Sequence, residues 1–313
     1  MKIFKPKFWN KKNNLISIFL LPISYFLQLL VILKKIFIKK ENFNIPVICV
    51  GNIYLGGTGK TPLTIEIVNM LEKLNKRTAI VKKFYTNHYD EFKLIESKGV
   101  ALFKDVSRSS SIKKAIKNKF ECVVLDDGFQ DCSIKKNLTI LCFNERQLVG
   151  NEMTLPSGPL REPLSSLRKT QIVVINGSKN SRFEEKIKNI SNKISIYYSS
   201  YSPDNIEEFR DLNLLAFAGI GNPENFFYLL EKNKLHLGKK ISFPDHYNYD
   251  LKDLNKLIDF SIKNNLTLIT TEKDYFRIKH YNLPQIKYLS VNLKIENKEK
   301  LEKEIINIYD KNC

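Results

Sequence analysis

Cysteine, glycine and proline are all scarce in this chain of 313 residues. The five cysteines are an odd number without C-x-x-C spacing, which argues against a disulfide framework and against a zinc site. Three of them, Cys49, Cys122 and Cys142, lie in apolar runs and fit a protein of the reducing cytosol. Twelve glycines and eleven prolines exclude a fibrous repeat. A hydrophobic content of 43% excludes a disordered chain, because so much apolar surface can form one large or two modest cores.

Acidic residues are absent from residues 1–40, which contain nine lysines and therefore supply half of the net charge of +18. Residues 15–33 carry no charge and are about long enough to span a membrane. This run leads straight into lysines without a small-x-small cleavage site, which argues against a signal peptide. Lysines flank both ends of the run, whereas a membrane span usually has more Lys and Arg on one side.

The few polar residues of this segment fall on one side of a predicted helix. At about 100° per residue, Ser17, Ser24, Gln28 and Lys35 form a narrow stripe on an otherwise apolar surface. We predict a helix in the cytoplasmic leaflet, with lysines on anionic headgroups and apolar side chains among the acyl chains. Those apolar side chains are Phe19, Tyr25, Phe26 and Leu30. A membrane span and a buried helix of a soluble core are the alternatives.

After residue 44, short apolar runs alternate with amphipathic stretches of helix length. This alternation predicts an α/β fold with a mostly parallel sheet and helices on both faces. The first set has strands at 46–50, 78–81, 100–103, 122–125, 138–143 and 172–175, with helices at 60–74 and 111–119. The second set has strands at 214–218, 266–270 and 286–291, with helices at 224–231, 251–262 and 299–309. The polar stretch 198–210 separates the sets. We therefore predict a membrane-associating helix over 1–44, a larger domain over 45–205, and a smaller α/β domain over 206–313 that closes over the site.

A glycine-rich loop follows the first predicted strand. Residues 51–62 read Gly-Asn-Ile-Tyr-Leu-Gly-Gly-Thr-Gly-Lys-Thr-Pro and open a helix, which is the context that nucleotide phosphates require. Backbone N–H groups of such a loop turn towards phosphate oxygens, its lysine reaches the outer phosphates, and its threonine can ligate Mg²⁺. The predicted binding residues are Gly56, Gly57, Thr58, Gly59, Lys60 and Thr61. Standard spacing would place a glycine at Tyr54, so a plain glycine turn is the alternative.

Two carboxylates follow the predicted strand 122–125. Ligands bind at the carboxyl ends of parallel strands, so we expect Asp126 or Asp127 to reach a Mg²⁺ ion beside Lys60. A simple Asp-Asp-Gly turn is the alternative. With the glycine loop, these acids predict a P-loop NTPase-like nucleotide-binding domain over 45–205.

Six motifs, in order along nearly the whole chain, carry a family resemblance. They are Gly51-Asn52 with Gly-Gly-Thr-Gly-Lys-Thr-Pro at 56–62, Asp-Asp-Gly-Phe-Gln at 126–130, Gly-Pro-Leu-Arg-Glu-Pro at 158–163, Ala-Gly-Ile-Gly-Asn-Pro at 218–223, Phe-Pro-Asp-His-Tyr at 243–247 and Thr-Thr-Glu-Lys-Asp at 270–274. On these motifs the chain resembles the tetraacyldisaccharide 4'-kinases of lipid A biosynthesis. The resemblance implies ATP as donor, Mg²⁺, and transfer of the γ-phosphoryl group to the 4'-hydroxyl of an acylated glucosamine disaccharide 1-phosphate.

The resemblance also implies a location and partners. It places the chain on the cytoplasmic face of the inner membrane of a Gram-negative envelope, as a monotopic protein on an anionic lipid surface. The partner is the lipid substrate. We expect no nucleic acid and no obligate protein partner.

The resemblance further implies an Asp–His pair near the acceptor hydroxyl, formed by Asp90 and His246, because phosphoryl transfer needs a base aimed at the attacking oxygen. A loop acid at Asp90 and a turn histidine bonded to Asp245 are the alternatives. The catalytic candidates are thus Asp90, His246, Lys60 and Asp127, and the metal candidates are Thr61, Asp126, Asp127 and Glu162. Arg161 is a candidate contact of the transferred phosphate. Residues 272–274 are expected to cap a helix without a chemical role.

The sequence departs from the family pattern at two places. Lys82-Lys83-Phe84-Tyr85 stands where the family commonly has Ser-Arg-Gly-Tyr-Gly, and the two lysines are expected to neutralise phosphate. Asp131 follows the Asp-Asp-Gly-Phe-Gln motif where the family usually has His. An added carboxylate near Asp126 and Asp127 is expected either to alter metal affinity or to raise the pKa of a neighbouring acid.

Two other classes of protein are weighed. A membrane-recruited P-loop ATPase that switches a protein partner would use the same loop but leaves the Phe-Pro-Asp-His motif unexplained. A nucleic-acid-binding protein would need basic residues interleaved with exposed aromatics, whereas half of the net charge here flanks an apolar helix.

Overall fold

The computed structural model describes residues 6–85 and 89–310, so Lys2 and Lys5 at the start of the basic segment lie outside it. The described residues form two compact units. The large unit comprises residues 6–84, 99–200 and 294–310. The small unit comprises residues 85, 89–98 and 201–293. The contiguous division at residues 44 and 205 stays a prediction.

A mostly parallel sheet forms the core of the large unit. Its strands are β1 (Val47–Gly51), β2 (Thr78–Lys83), β3 (Leu102–Asp105), β4 (Cys122–Asp126), β5 (Leu138–Asn144), β6 (Ile172–Asn176), β7 (Ser195–Pro203) and β12 (Val291–Ile295), in the order β12-β7-β6-β5-β1-β4-β2-β3. All neighbouring pairs from β7 to β3 are parallel. The helices are α1 (Leu15–Ile36), α2 (Lys60–Lys73), α4 (Arg108–Lys117), α5 (Ser181–Ile190) and α9 (Lys298–Asp310). Every residue of β1, β4, β5 and β6 is buried, as expected of strands covered on both faces.

The small unit has its own parallel sheet. Strands β8 (Asn213–Ala218), β9 (His236–Ser242), β10 (Thr267–Thr271) and β11 (Ile286–Leu289) lie in the order β11-β10-β8-β9. The helices are α3 (Tyr89–Ser97), α6 (Pro223–Lys232), α7 (Leu251–Lys263) and α8 (Glu272–Ile278). Side chains of β8 alternate between two apolar cores, one on each face: Leu214 and Ala216 join one, and Leu215 and Phe217 join the other. The predicted α/β class is confirmed in both units.

Three strands and two helices are absent from the prediction. β7 occupies part of the stretch 198–210 that we took for a polar linker, because its hydroxyl-bearing residues resemble a loop. Tyr197 and Tyr198 nevertheless lie in the sheet and donate their hydroxyls to Glu304 and Glu184. β9 is a largely exposed edge strand with little apolar signal. The predicted strand 286–291 is in fact two, β11 and β12, and α3 and α5 were not predicted.

Helix α1 forms where it was predicted, and its polar stripe faces the body of the large unit. Ser17 accepts a hydrogen bond from Asn151, and Ser24 bonds Thr154 and Ser157. Further along the stripe, Gln28 bonds the hydroxyl of Thr154, and Lys35 pairs with Glu162 at 2.9 Å. The apolar side chains point outward, with Phe19 82% exposed, which excludes the alternative of a helix buried in a soluble core.

Candidate active site

The glycine loop of the large unit joins β1 to α2. Gly56 and Gly59 adopt φ of 118° and 94°, a region that favours glycine because it has no Cβ. The buried Asn52 holds the loop from within: its Nδ2 donates to the carbonyl of Gly56 at 3.2 Å and to the hydroxyl of Thr58 at 2.9 Å. Helix α2 begins at Lys60, so its N-terminal N–H groups open onto the loop. The strand, loop and helix therefore have the arrangement that the sequence predicted.

Asp126, the last residue of β4, lies directly behind this loop and is fully buried. Its Oδ2 accepts a hydrogen bond of 3.0 Å from the hydroxyl of Thr61 and pairs with the ammonium of Lys82. Its Oδ1 accepts from Thr64 at 3.4 Å. The structure thus brings together Thr61, Asp126 and Lys82, of which Lys82 had been considered only as a phosphate contact.

Asp127 is held as a charged carboxylate by the two basic residues beside it. Arg161 donates to both of its oxygens, at 3.1 and 3.2 Å, and the Lys60 ammonium lies 3.8 Å from Oδ1. Burial by itself raises the pKa of Asp127, but the charges of Lys60 and Arg161 outweigh it and hold the pKa far below its usual range. Arg161 also bonds Gln130 and Asn52, so it ties the acidic turn to the loop.

Asp131 is bound within its own turn. It pairs with Arg108 at 3.2 Å and accepts hydrogen bonds from the backbone and the hydroxyl of Ser133. Asp131 therefore stabilises this turn. Its expected effect on metal affinity or on the pKa of a neighbouring acid stays a prediction.

A divalent cation fits Thr61 and Asp126. One hydroxyl and one carboxylate oxygen lie 3.0 Å apart beside a phosphate loop, and Mg²⁺ in such sites takes one or two carboxylates and leaves its other positions to phosphates and water. Glu162 is buried, but its Oε1 is bound by Lys35 of α1. Within residues 6–85 and 89–310, no three His, Cys, Asp or Glu side chains cluster as a metal site built from protein alone.

A second charged cluster lies in the small unit around Asp90, near the start of α3. One of its oxygens, Oδ2, accepts from Nε and Nη2 of Arg277 at 2.9 and 2.6 Å and lies 3.7 Å from the Lys273 ammonium. Lys273 also pairs with Glu91 at 2.7 Å. Asp90 is almost fully buried and is paired with basic side chains. The alternative that it is a solvated acid of a loop is therefore excluded.

His246 belongs to the same cluster. Its Nδ1 lies 3.9 Å from Oδ1 of Asp90 and 3.4 Å from Nη2 of Arg277. The residue adopts φ of 54°, and its backbone N–H donates to Gly219 and to Asp245. Burial lowers the pKa of His246 to about 4; Lys273 and Arg277 add to this effect, while Asp245 and Asp90 oppose it. The predicted pair Asp90 and His246 is therefore brought together, although the two residues lie 156 positions apart in the sequence.

Helix α8 supplies residues that sequence reasoning missed. Lys273 and Arg277 both reach Asp90 because residues four apart share one face of a helix. Asp274 has the capping role we expected, since it exchanges hydrogen bonds with Thr271, the N-cap residue of α8. It also bonds Arg277, at 2.5 Å, and the N–H of Gly219. The available signal was the four-residue spacing between Lys273, inside the Thr-Thr-Glu-Lys-Asp motif, and Arg277, which follows it.

These features define an α/β protein with a phosphate-binding loop and a separate acid–base cluster. The family model described as tetraacyldisaccharide-1-P 4'-kinase, LpxK, matches residues 16–101 and 90–310. The tetraacyldisaccharide 4'-kinase of Pelagibacter ubique is 44% identical over 100% of both chains, and that of Rickettsia bellii is 34% identical over 97% of this chain and 98% of its own. The chain belongs to the tetraacyldisaccharide 4'-kinase family.

One solved structure supports the fold in particular. The crystal structure of LpxK from Aquifex aeolicus in complex with ATP has a TM-score of 0.71 and 24% sequence identity, and the match covers 94% of this chain and 100% of that one. The family model and the two relatives confirm the family resemblance stated from the six motifs.

Proposed function

We propose that this protein transfers the γ-phosphoryl group of ATP to the 4'-hydroxyl of a tetraacylated glucosamine disaccharide 1-phosphate in lipid A biosynthesis. The observation that carries the proposal is a phosphate loop whose Thr61 is bonded to the buried Asp126, in a chain that belongs to this kinase family over its whole length. The relative whose structure contains ATP supports the choice of donor.

Each part of the phosphate loop has a proposed role. Residues Gly56 to Thr61 bind the phosphates through backbone N–H groups, and Lys60 neutralises charge on the outer phosphates. Thr61 and Asp126 hold Mg²⁺, with Asp127 and Glu162 as candidates for its water shell. When bound, the ion neutralises charge that develops on the phosphate oxygens. Asp127 positions Lys60 and Arg161, since it contacts both.

Asp90 and His246 are proposed to accept the proton that the acceptor hydroxyl loses. Arg277 and Lys273 occupy one oxygen of Asp90, so its other oxygen faces the imidazole. A histidine with a pKa of about 4 is neutral at physiological pH and is able to accept a proton. The loss of both groups is therefore expected to affect a single step.

The location proposed is the cytoplasmic face of the inner membrane, where the protein is peripheral or monotopic. α1 is long and apolar enough to cross a membrane, but its polar stripe is bonded to the large unit and its apolar side faces outward. This arrangement supports a helix that lies in the leaflet. The lysines at both ends of α1 suit anionic headgroups.

The direct test supplies purified full-length protein with γ-labelled ATP and the acylated disaccharide 1-phosphate, and follows label in the lipid. We expect labelled product, and at least about 100-fold less from Lys60→Met, because that lysine acts on the transferred charge. Lys117→Met, an exposed lysine of α4, is the matched control and should be unaffected. ATP hydrolysis by folded protein without labelled lipid would instead favour the ATPase switch.

The Asp90–His246 assignment has its own test. Asp90→Asn, His246→Gln and the double variant should each retain ATP binding, while kcat falls by at least about 100-fold in each single variant. The double variant should be hardly slower than either single one, because residues that act as one unit show non-additive losses. Losses that multiply would assign the two residues to separate roles.

A further inference from the structure

Lys82 is a buried lysine placed beside the carboxylate of the metal site. It lies near the end of β2, which pairs in parallel with β4 so that Val81 is opposite Leu125 and the next positions are Lys82 and Asp126. Its side chain is 6% exposed, and that of Asp126 is 0% exposed. A buried lysine is costly unless its charge is paired, so this placement calls for an explanation in terms of what Lys82 contacts.

The Lys82 ammonium and the hydroxyl of Thr61 share one oxygen of Asp126. Both reach Oδ2, and Thr61 does so at 3.0 Å. The charge of Lys82 also acts on Asp127, where it contributes to the lowered pKa of that acid. One ammonium therefore acts on both carboxylates next to the phosphate loop, and it contacts the carboxylate that would hold Mg²⁺.

Basic side chains outnumber the carboxylates beside the phosphate loop. Lys60, Lys82 and Arg161 bring three positive charges to the two carboxylates Asp126 and Asp127. Lys82 provides a cation in direct contact with the buried Asp126. An ammonium on a flexible four-carbon stem can pair with one oxygen without the octahedral geometry that Mg²⁺ demands.

We propose that Lys82 is a tethered cation that takes over part of the role of Mg²⁺ at Asp126, so that nucleotide polyphosphates bind this protein even when the metal is absent. The inference rests on the proposed nucleotide site and deepens it.

The test measures the dissociation constant of a fluorescent ATP analogue for the full-length protein, once with excess EDTA and once with millimolar Mg²⁺. Removal of Mg²⁺ should weaken binding to Lys82→Gln about tenfold more than binding to the wild type. In EDTA the variant has neither the metal nor the Lys82 charge at Asp126, whereas the wild type keeps that charge. Lys82→Arg keeps the charge and should resemble the wild type. Lys117→Gln is the matched control on an exposed helix position.

A second variant keeps the inference testable if Lys82→Gln does not fold. Thr61→Ala removes the proposed metal ligand and leaves Lys82 with Asp126, so it should lose the gain from Mg²⁺ and keep its affinity in EDTA within about threefold. Equal weakening of Lys82→Gln in both media, or no weakening, would overturn the inference. A collapse of Thr61→Ala binding in EDTA would overturn it as well. Failure of the wild type to bind the analogue with Mg²⁺ would contradict the proposed nucleotide site instead.

Discussion

The charge state of His246 depends on which cations surround its ring. Burial is the main cause that lowers its pKa to about 4, and Lys273 and Arg277 of α8 lower it further. Because this value lies below the ordinary value of 6.5, the imidazole loses its proton at lower pH than a free histidine does. The proton acceptance that we propose for His246 is therefore expected across the physiological range and should be lost as pH falls towards 4.

Replacing Lys273 by Met should raise the pKa of His246, since one nearby positive charge is removed. The NMR titration of the His246 ring should move to higher pH, and the acid limb of the pH–rate profile should move with it. His236 and His280 provide internal references in the same spectra. Lys232→Met, an exposed lysine of α6, is the control and should leave both curves in place. An unchanged His246 titration in Lys273→Met would contradict the charge cluster.

The candidate site was predictable from the sequence where its residues are local. The glycine loop, Lys60 and Thr61 lie on one strand–loop–helix unit, and Asp126 ends a continuous apolar strand, so each carries its own pattern. Arg277 carries no such pattern for its contact with Asp90, which lies 187 positions away. Tertiary packing alone brings them together, and only the family resemblance pointed to Asp90 and His246.

At the scale of elements, α1 is fixed by small polar residues rather than by its apolar surface. Ser24 bonds the carbonyl of Thr154 at 3.0 Å and the hydroxyl of Ser157 at 2.7 Å, and it accepts from the N–H of Ser157. Its place in the stripe leaves no room for a large side chain, since Ser24 is 1% exposed.

Ser24→Leu should lower the free energy of unfolding by about 2–4 kcal/mol, because it combines overpacking with unpaired polar groups. Tyr25→Leu, at the neighbouring exposed position, is the control and should stay within about 0.5 kcal/mol. Chemical denaturation in a mild detergent measures both variants. Equal stability of the two would mean that α1 is not docked through its polar stripe.

Strands with continuous apolar runs were predicted, and strands with many polar residues were not. β1, β4, β5 and β6 are buried throughout and mostly apolar, because they are covered on both faces. β7 is rich in hydroxyl-bearing residues and satisfies its tyrosine hydroxyls with glutamates. β9 is a largely exposed edge strand with two lysines, so neither strand has the composition of a buried one. The composition of a segment therefore indicates whether it is buried, but it does not reveal a strand that is partly exposed or rich in polar residues.

At the scale of the whole molecule, the net charge of +18 is unevenly distributed, and half of it lies in residues 1–40. Lys39 and Lys40 follow α1 and are exposed. If α1 lies on an anionic leaflet as proposed, each of these lysines contributes about 1 kcal/mol to attraction.

Lys39→Gln with Lys40→Gln should therefore weaken binding to vesicles that contain anionic phospholipid by about 30-fold, at two lysines of about 1 kcal/mol each. Binding to neutral vesicles should change little. The control is Lys117→Gln with Lys119→Gln, a pair of exposed lysines of the large unit outside the basic segment. Co-sedimentation measures all three proteins, and equal loss in both pairs would indicate a general charge effect.

Both units are built from segments that are not contiguous in the sequence. Residues 89–98 belong to the small unit, and residues 294–310 belong to the large unit. Composition changes along the chain locate a crossing near residue 200, where a run of polar residues occurs. They contain no signal for a segment that leaves one unit, packs in the other and returns.

The outward face of α1 also governs how the protein behaves in a test tube. Phe19 and Phe37 are 82% and 85% exposed, and most of the side chains between them are aliphatic. An apolar surface of this extent in plain buffer favours contact between copies, and detergent competes for the same side chains. The apparent size of the particle should therefore rise with protein concentration and fall when detergent is added, while the body of the molecule remains folded.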